Sequence, residues 1–137
     1  MSAAENKAIV RKYLDEAWTK RNVDILDELM APNYARYLPG QDKPLDREAQ
    51  KKRIAGFFTA MPDLVFLVED LFAEEDRVVF RVMIRGTHDG TFLGVAPTGK
   101  QLTVTAIDIA RLENGKIVDH WGQMDMAGLM QQLDLIS

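Results

Sequence analysis

Cysteine is absent, which excludes disulfides, a thiol nucleophile and any thiolate metal site. Histidine is scarce: His88 and His120 are the two in the chain. They lie far apart, without the paired spacing of a helix-borne metal site, so no metal is expected. Positive charge is not in excess. A net charge of −4 argues against nucleic acid or an anionic membrane as partner, since either needs a basic footprint. No apolar stretch approaches the roughly 20 residues that cross a bilayer. The opening MSAAENKAIVRKYL carries charges throughout and lacks the apolar centre of a signal peptide. A cytoplasmic protein is the resulting expectation. There is no glycine-rich phosphate loop, no serine in a nucleophile setting and no repeat or low-complexity stretch.

What remains is the composition of an ordinary soluble domain, 47% apolar and 28% charged over 137 residues. That length suits one domain, residues 1–137, able to bury a core without staples. Ile9, Val10, Tyr13, Leu14, Ala17 and Trp18 fall at helical spacing and predict an amphipathic helix over about Ala4 to Lys20. Asn22 is placed to cap a short helix carrying Val23, Leu26, Leu29 and Met30, which Pro32 closes. NYARYLPG follows as a short extended piece. Asp46 caps a third helix running to Ala60, ended by Pro62. Beyond Pro62 the period changes to that of strands: LVFLVEDLFAEED, RVVFRVMIRGT, QLTVTAIDIARLENG and KIVDHWGQMDM, rich in Val, Ile, Phe and Thr. Asn114-Gly115 marks a tight hairpin between the last two. HDGTFLGVAPTGK is the longest loop, and Met126 to Leu133 a short closing helix. Helices followed by an antiparallel meander make an α+β fold, with the helices covering a curled sheet around a pocket. Gly122, in mid-strand, either forms the bend that curling demands or makes room for a ligand.

Alternation along the strands selects the candidate site. His120, Gly122 and Met124 share one face of the last strand; Trp121, Gln123 and Asp125 share the other. On its neighbour, Asp108 lies among Val104, Ala106, Ala110 and Leu112, where a carboxylate costs several kcal/mol unless paired. Arg81 is its expected counter-ion if their faces coincide. Asp108, Arg81 and His120 form the candidate catalytic group, with a purely structural Arg–Asp pair as the other reading. His88 reads as a solvated loop residue. Tyr13, Trp18, Tyr34, Tyr37, Phe58, Met83, Phe92 and Gly122 are the expected lining of an apolar, ligand-binding pocket. The seven methionines fit such an adaptable lining as well as they fit a core.

RVVFRVMIRGTHDGTFLGVAPTGK, followed by TAIDIARLENGKIVDHWGQMDMAGLMQQL, resembles the SnoaL-like polyketide cyclase or ester cyclase group of the nuclear-transport-factor-2-like superfamily. The resemblance covers nearly the whole chain and rests on the GTHDG, PTGK, IDIARLENGKI and DHW pieces in this order. It implies a cone of curved, mostly antiparallel sheet closed by N-terminal helices, and a homodimer formed through the sheet. It further implies cofactor-free acid/base chemistry, an aldol cyclisation or isomerisation, on a small hydrophobic carbonyl compound. Aligned on ENGKI, the family's acid/base aspartate falls at Gly122 and its histidine at or near Asp108. Limonene epoxide hydrolases share the cone; Arg81 matches their arginine, but Met83 and Gly122 stand where their aspartates would be. Neither catalytic set is intact, so a non-catalytic small-molecule binder and an epoxide hydrolase stay beside the cyclase as alternatives.

Overall fold

In the computed structural model, which describes residues 1–136, the helices pack on one face of a curved five-stranded sheet. Helix α1 (Ala3–Tyr13) opens with a reciprocal cap, in which Ser2 Oγ accepts from the Glu5 amide and Glu5 Oε1 from the Ser2 amide. It runs directly into a π-helical segment (Leu14–Thr19) carrying the buried Leu14, Ala17 and Trp18. The expected second helix is shorter than its apolar spacing suggests. A single 3₁₀ turn (Val23–Ile25) and α2 (Leu26–Leu29) end where Met30 enters the first strand. Pro32 lies inside that strand, β1 (Met30–Tyr37), at an interruption of its ladder on the sheet edge, where a missing N–H is tolerated. Helix α3 (Arg47–Ala60) is capped by Asp46, whose carboxylate accepts from the Ala49 amide at 2.8 Å.

The four long strands are β2 (Val65–Glu74), β3 (Arg77–Thr87), β4 (Gln101–Glu113) and β5 (Lys116–Met124), closed by α4 (Met126–Gln132). The hairpin between β4 and β5 turns on Asn114 (φ 49°) and Gly115 (φ 77°), the paired positive dihedrals of a type I′ turn. Sheet order is β1-β5-β4-β3-β2. The long strands pair antiparallel with their neighbours, whereas β1 lies parallel to β5, with Arg36 opposite His120. Register shifts occur between Val68 and Asp70 and between Arg111 and Leu112. Such bulges bend a sheet. Gly122 is not one of them: it pairs in regular register with Asp108.

The inner face buries Val78, Phe80, Val82 and Ile84 of β3 and Leu102, Val104, Ala110 and Leu112 of β4 against Val10, Tyr13, Leu14, Ile54 and Phe57. The outer face leaves Val65, Leu67, Phe72 and Ile107 exposed. Among the described residues, no helix is long and apolar enough to cross a membrane. The long loop is better ordered by contacts than its Gly and Pro content implies. His88 is fully buried, because the loop folds back (His88 amide to Lys100 carbonyl, 2.9 Å) and docks on the end of α3 (Gly90 amide to Ala60 carbonyl, 3.0 Å). Its Nδ1 meets Thr98 Oγ1 at 2.9 Å, which corrects the solvated reading of this residue.

Candidate active site

Between the sheet and the helices lies a cavity of about 690 Å³, within the range of roughly 300–1,000 Å³ typical of small-molecule sites. Its wall is mainly aromatic and aliphatic, including Trp18, Phe57, Phe66, Phe80 and Phe92. Polar groups enter it from α1 (Tyr13), β1 (Arg36), α3 (Gln50, Arg53) and β4 (Asp108).

Asp108 is inward, as alternation requires, but its cation is Arg36. The Arg36 Nη1 group donates to Asp108 Oδ2 at 2.9 Å, with both side chains buried. Arg36 arrives there because Tyr34 and Arg36 sit two apart on β1 and so share its inner face. His120 Nε2 meets the same Asp108 Oδ2 at 2.8 Å, and Tyr34 Oη meets His120 Nδ1 at 2.9 Å. Arg36 Nη1 also meets His120 Nε2, at 2.5 Å, so a neutral ring either donates from Nε2 to Asp108 with Tyr34 donating to Nδ1, or accepts from Arg36 at Nε2 and donates from Nδ1 to Tyr34. Asp108 Oδ2 lies against both Arg36 and His120, whereas its buried Oδ1 has no partner among the described residues.

Electrostatics fix the charges of the cluster. Burial, followed by the Arg36 charge, pushes the His120 imidazole down to about 4, so the ring is neutral at pH 7. Burial raises the Asp108 carboxyl, but the His120 hydrogen bond and the Arg36 charge outweigh it, and the net shift is downward. Burial raises the Tyr34 phenol well above its ordinary value, which keeps the hydroxyl protonated. Gly122 completes the arrangement. A Cβ there would lie 2.6 Å from Asp108 Oδ1 and against Arg36 Nη2, so the missing side chain is the space the ion pair occupies. Neither earlier reading of Gly122, a bend or room for a ligand, describes this role.

Several expected positions need correction. Arg81 faces away from the cavity: it pairs across the strands with Ile107, while Phe80 is opposite Asp108. Its guanidinium is exposed and bound to Asp70 at 2.7 Å. Met83 shares that outer face and accepts from Arg85. Tyr37 is also outside, stacked on Trp121 with ring centroids 5.7 Å apart. Phe58 packs against the edge of Trp18 from outside the cavity wall, with Arg21 over its ring. Tyr34 and His120 are buried behind Asp108 and do not line the cavity. Tyr13, Trp18, Phe92, Asp108 and Gly122 do line it. Among the described residues, no cluster of three or more His, Cys, Asp or Glu side chains is arranged to hold a metal ion.

A curved sheet capped by helices, with a titratable cluster at the base of the cavity, defines a nuclear-transport-factor-2-like protein. The chain belongs to the SnoaL-like polyketide cyclase family, whose profile matches residues 8–133. Among solved structures it is similar to AclR of Streptomyces galilaeus, a proposed hydroxylase, at 31% identity and a TM-score of 0.87, covering 99% of this chain and 100% of that one. It is similar to IdmH of Streptomyces antibioticus, a proposed polyketide cyclase, at 31% identity and a TM-score of 0.80 over 94% and 98% of the two chains. A proposed polyketide cyclase from Acidithiobacillus ferrooxidans matches over the full length of both chains at 29% identity and a TM-score of 0.81. No curated protein matches the chain.

Proposed function

We propose that the protein is a cyclase-type enzyme that moves a proton on a hydrophobic carbonyl compound, with Asp108 as the acid/base. The observation that carries this reading is Asp108 in the cavity wall, one oxygen fixed by Arg36 and His120 and the other, Oδ1, buried without a hydrogen-bond partner among the described residues. A carboxylate held below its usual pKa is ionised throughout the neutral range but is a weak base. It suits a carbon acid already activated by flanking carbonyls. Oδ1 takes the proton from that carbon, and charge develops on the carbonyl oxygen beside the Arg36 guanidinium in a water-poor cavity. The enolate then attacks a second carbonyl, forming a carbon–carbon bond, and the resulting alkoxide recovers the proton from Asp108. Reprotonation at another carbon gives isomerisation instead. His120 and Tyr34 are positioning residues, since they reach the substrate only through Asp108.

The test is deuterium uptake from D₂O at the α carbon of ethyl benzoylacetate, followed by NMR. The wild type should exchange faster than buffer, and Asp108→Asn should lose roughly two or more orders of magnitude of that excess. Equal binding of the ester by both proteins, with exchange by neither, would favour the non-catalytic binder. The epoxide-hydrolase reading has lost its one matching group, because Arg81 faces solvent. The expected homodimer has a surface to form on, the outer sheet face with Tyr37, Ile107, Ile109 and Trp121 around a shallow hollow.

A further inference from the structure

The half-buried arginines of this protein divide into two kinds. Arg47 and Arg111 each have carboxylate partners, Asp27 for the first and Asp119 and Glu113 for the second. Arg53, on the inner side of α3, has none among the described residues. It lies over the face of Phe57, 5.3 Å from the ring centroid, and lines the cavity together with Arg36. Arg36 is neutralised by Asp108, and His120 is uncharged, so the cavity carries one unmatched positive charge. That arrangement is costly, because a desolvated cation is stable only when an anion answers it. Burial, and then repulsion from Arg36, lower the Arg53 pKa to about 10, which leaves it charged at pH 7. Beside it, Gln50 is fully buried and lines the same cavity. Its Nε2 reaches Tyr13 Oη at 3.4 Å, and its Oε1 has no partner. Whichever way the amide is turned, one end is unanswered.

We infer that the cavity takes an aromatic ligand bearing an acidic oxygen, a carboxylate or a comparably acidic enol or phenol, and that Arg53 binds it. The aromatic lining holds the rings, Arg53 takes the anion, and Gln50 bonds a neighbouring polar group. This assignment deepens the acid/base reading by naming the substrate class, and it rests on the cavity being that reading's substrate site. Arg53 is thereby a specificity residue, and its unmatched charge is tolerated because a ligand neutralises it.

Calorimetric titration with 2-naphthoate and with its methyl ester tests the assignment. The wild type should bind the acid about tenfold or more tightly than the ester at pH 7. Arg53→Met, which keeps the aliphatic stem, should abolish that preference while leaving affinity for the ester unchanged. Arg53→Lys should keep part of it. The melting temperature of Arg53→Met should equal or exceed that of the wild type, since an unmatched cation is removed; a structural role would lower it. Equal binding of acid and ester by the wild type, failure to bind either at millimolar concentration, or a preference that survives Arg53→Met would each overturn the assignment. The deuterium experiment separates the two readings. Acid preference without α-carbon exchange keeps Arg53 as the anion site and removes the proton transfer, whereas exchange without acid preference does the reverse.

Discussion

Replacing Gly122 by alanine puts a methyl group where the buried ion pair now sits. The new Cβ would stand 2.6 Å from Asp108 Oδ1 and 2.9 Å from its Cγ, and against Arg36 Nη2, so something must move. Displaced side-chain tips are often tolerated cheaply, but these two are held. Asp108 Oδ2 is fixed by Arg36 and His120, and the Arg36 backbone is pinned to Leu45 by paired hydrogen bonds of 2.8 Å. Overpacking of this kind costs about 1–3 kcal/mol. If the pair is forced apart the cost approaches the roughly 3–5 kcal/mol of a broken buried ion pair. Urea unfolding should show the lower midpoint with an unchanged slope. Any proton transfer at Asp108 should fall with it, because the misplaced oxygen is the one proposed to react. In Asp108→Ala the carboxylate atoms are gone and Arg36 is no longer held by them, so the additional cost of Gly122→Ala should shrink by about 1 kcal/mol or more in a double-mutant cycle. A Gly122→Ala protein within about 0.5 kcal/mol of the wild type, with no coupling to Asp108, would refute the claim that this glycine exists to seat the pair.

Arg36→Met should lower stability by about 3–5 kcal/mol, measured by urea unfolding, because it strands a buried carboxylate. Arg81→Ala should leave α-carbon exchange unchanged, and a loss there comparable to that of Arg36→Met would return Arg81 to the site. Acid should destabilise the fold in two overlapping steps. His120 has a folded pKa of about 4 against an ordinary 6.5, so the unfolded chain binds the extra proton and stability falls as pH drops from about 6.5 towards 4, by on the order of 3 kcal/mol. Asp108 adds a further loss as pH falls below its ordinary 3.8 towards its lower folded pKa. His120→Asn should flatten the first step in urea midpoints measured against pH. Ile107→Asp, on the exposed outer face, should convert any dimer to monomer by sedimentation; an unchanged sedimentation coefficient for a dimeric wild type would place its interface elsewhere.

The long strands and the inward set Asp108, His120 and Gly122 were legible because period-2 alternation survives in a regular antiparallel sheet. The same rule, applied to β3, offered two faces. Val78, Phe80, Val82 and Ile84 are uniformly apolar, and that uniformity marks them as the inner face and turns Arg81 outward. Arg81 was paired with Asp108 on chemistry alone, and a one-residue offset sends a side chain to the opposite face. Tyr37 fails by the same parity, since Tyr34 and Arg36 take the inner positions of β1. Arg36 itself needed more than alternation. Its partner His120 lies 84 residues away, on a strand that pairs with β1 in parallel, and no local pattern announces such a pairing. The burial of His88 likewise depends on a loop docking against the end of α3. Gly122 stands out in the sequence as a glycine in mid-strand, yet its purpose becomes visible only when Arg36 stands over it.

β5 pairs with β1 on one side and β4 on the other, so the second-to-last element of the chain is the one that admits the first strand to the sheet. During synthesis, β1 and its arginine must wait for nearly the whole polypeptide to leave the ribosome before finding a ladder or an acid. Closure of such distant ends is slow compared with hairpin formation. The Arg36–Asp108–His120 cluster is therefore among the last features to assemble, and a prematurely terminated chain would keep the hairpins but never bring the three side chains together.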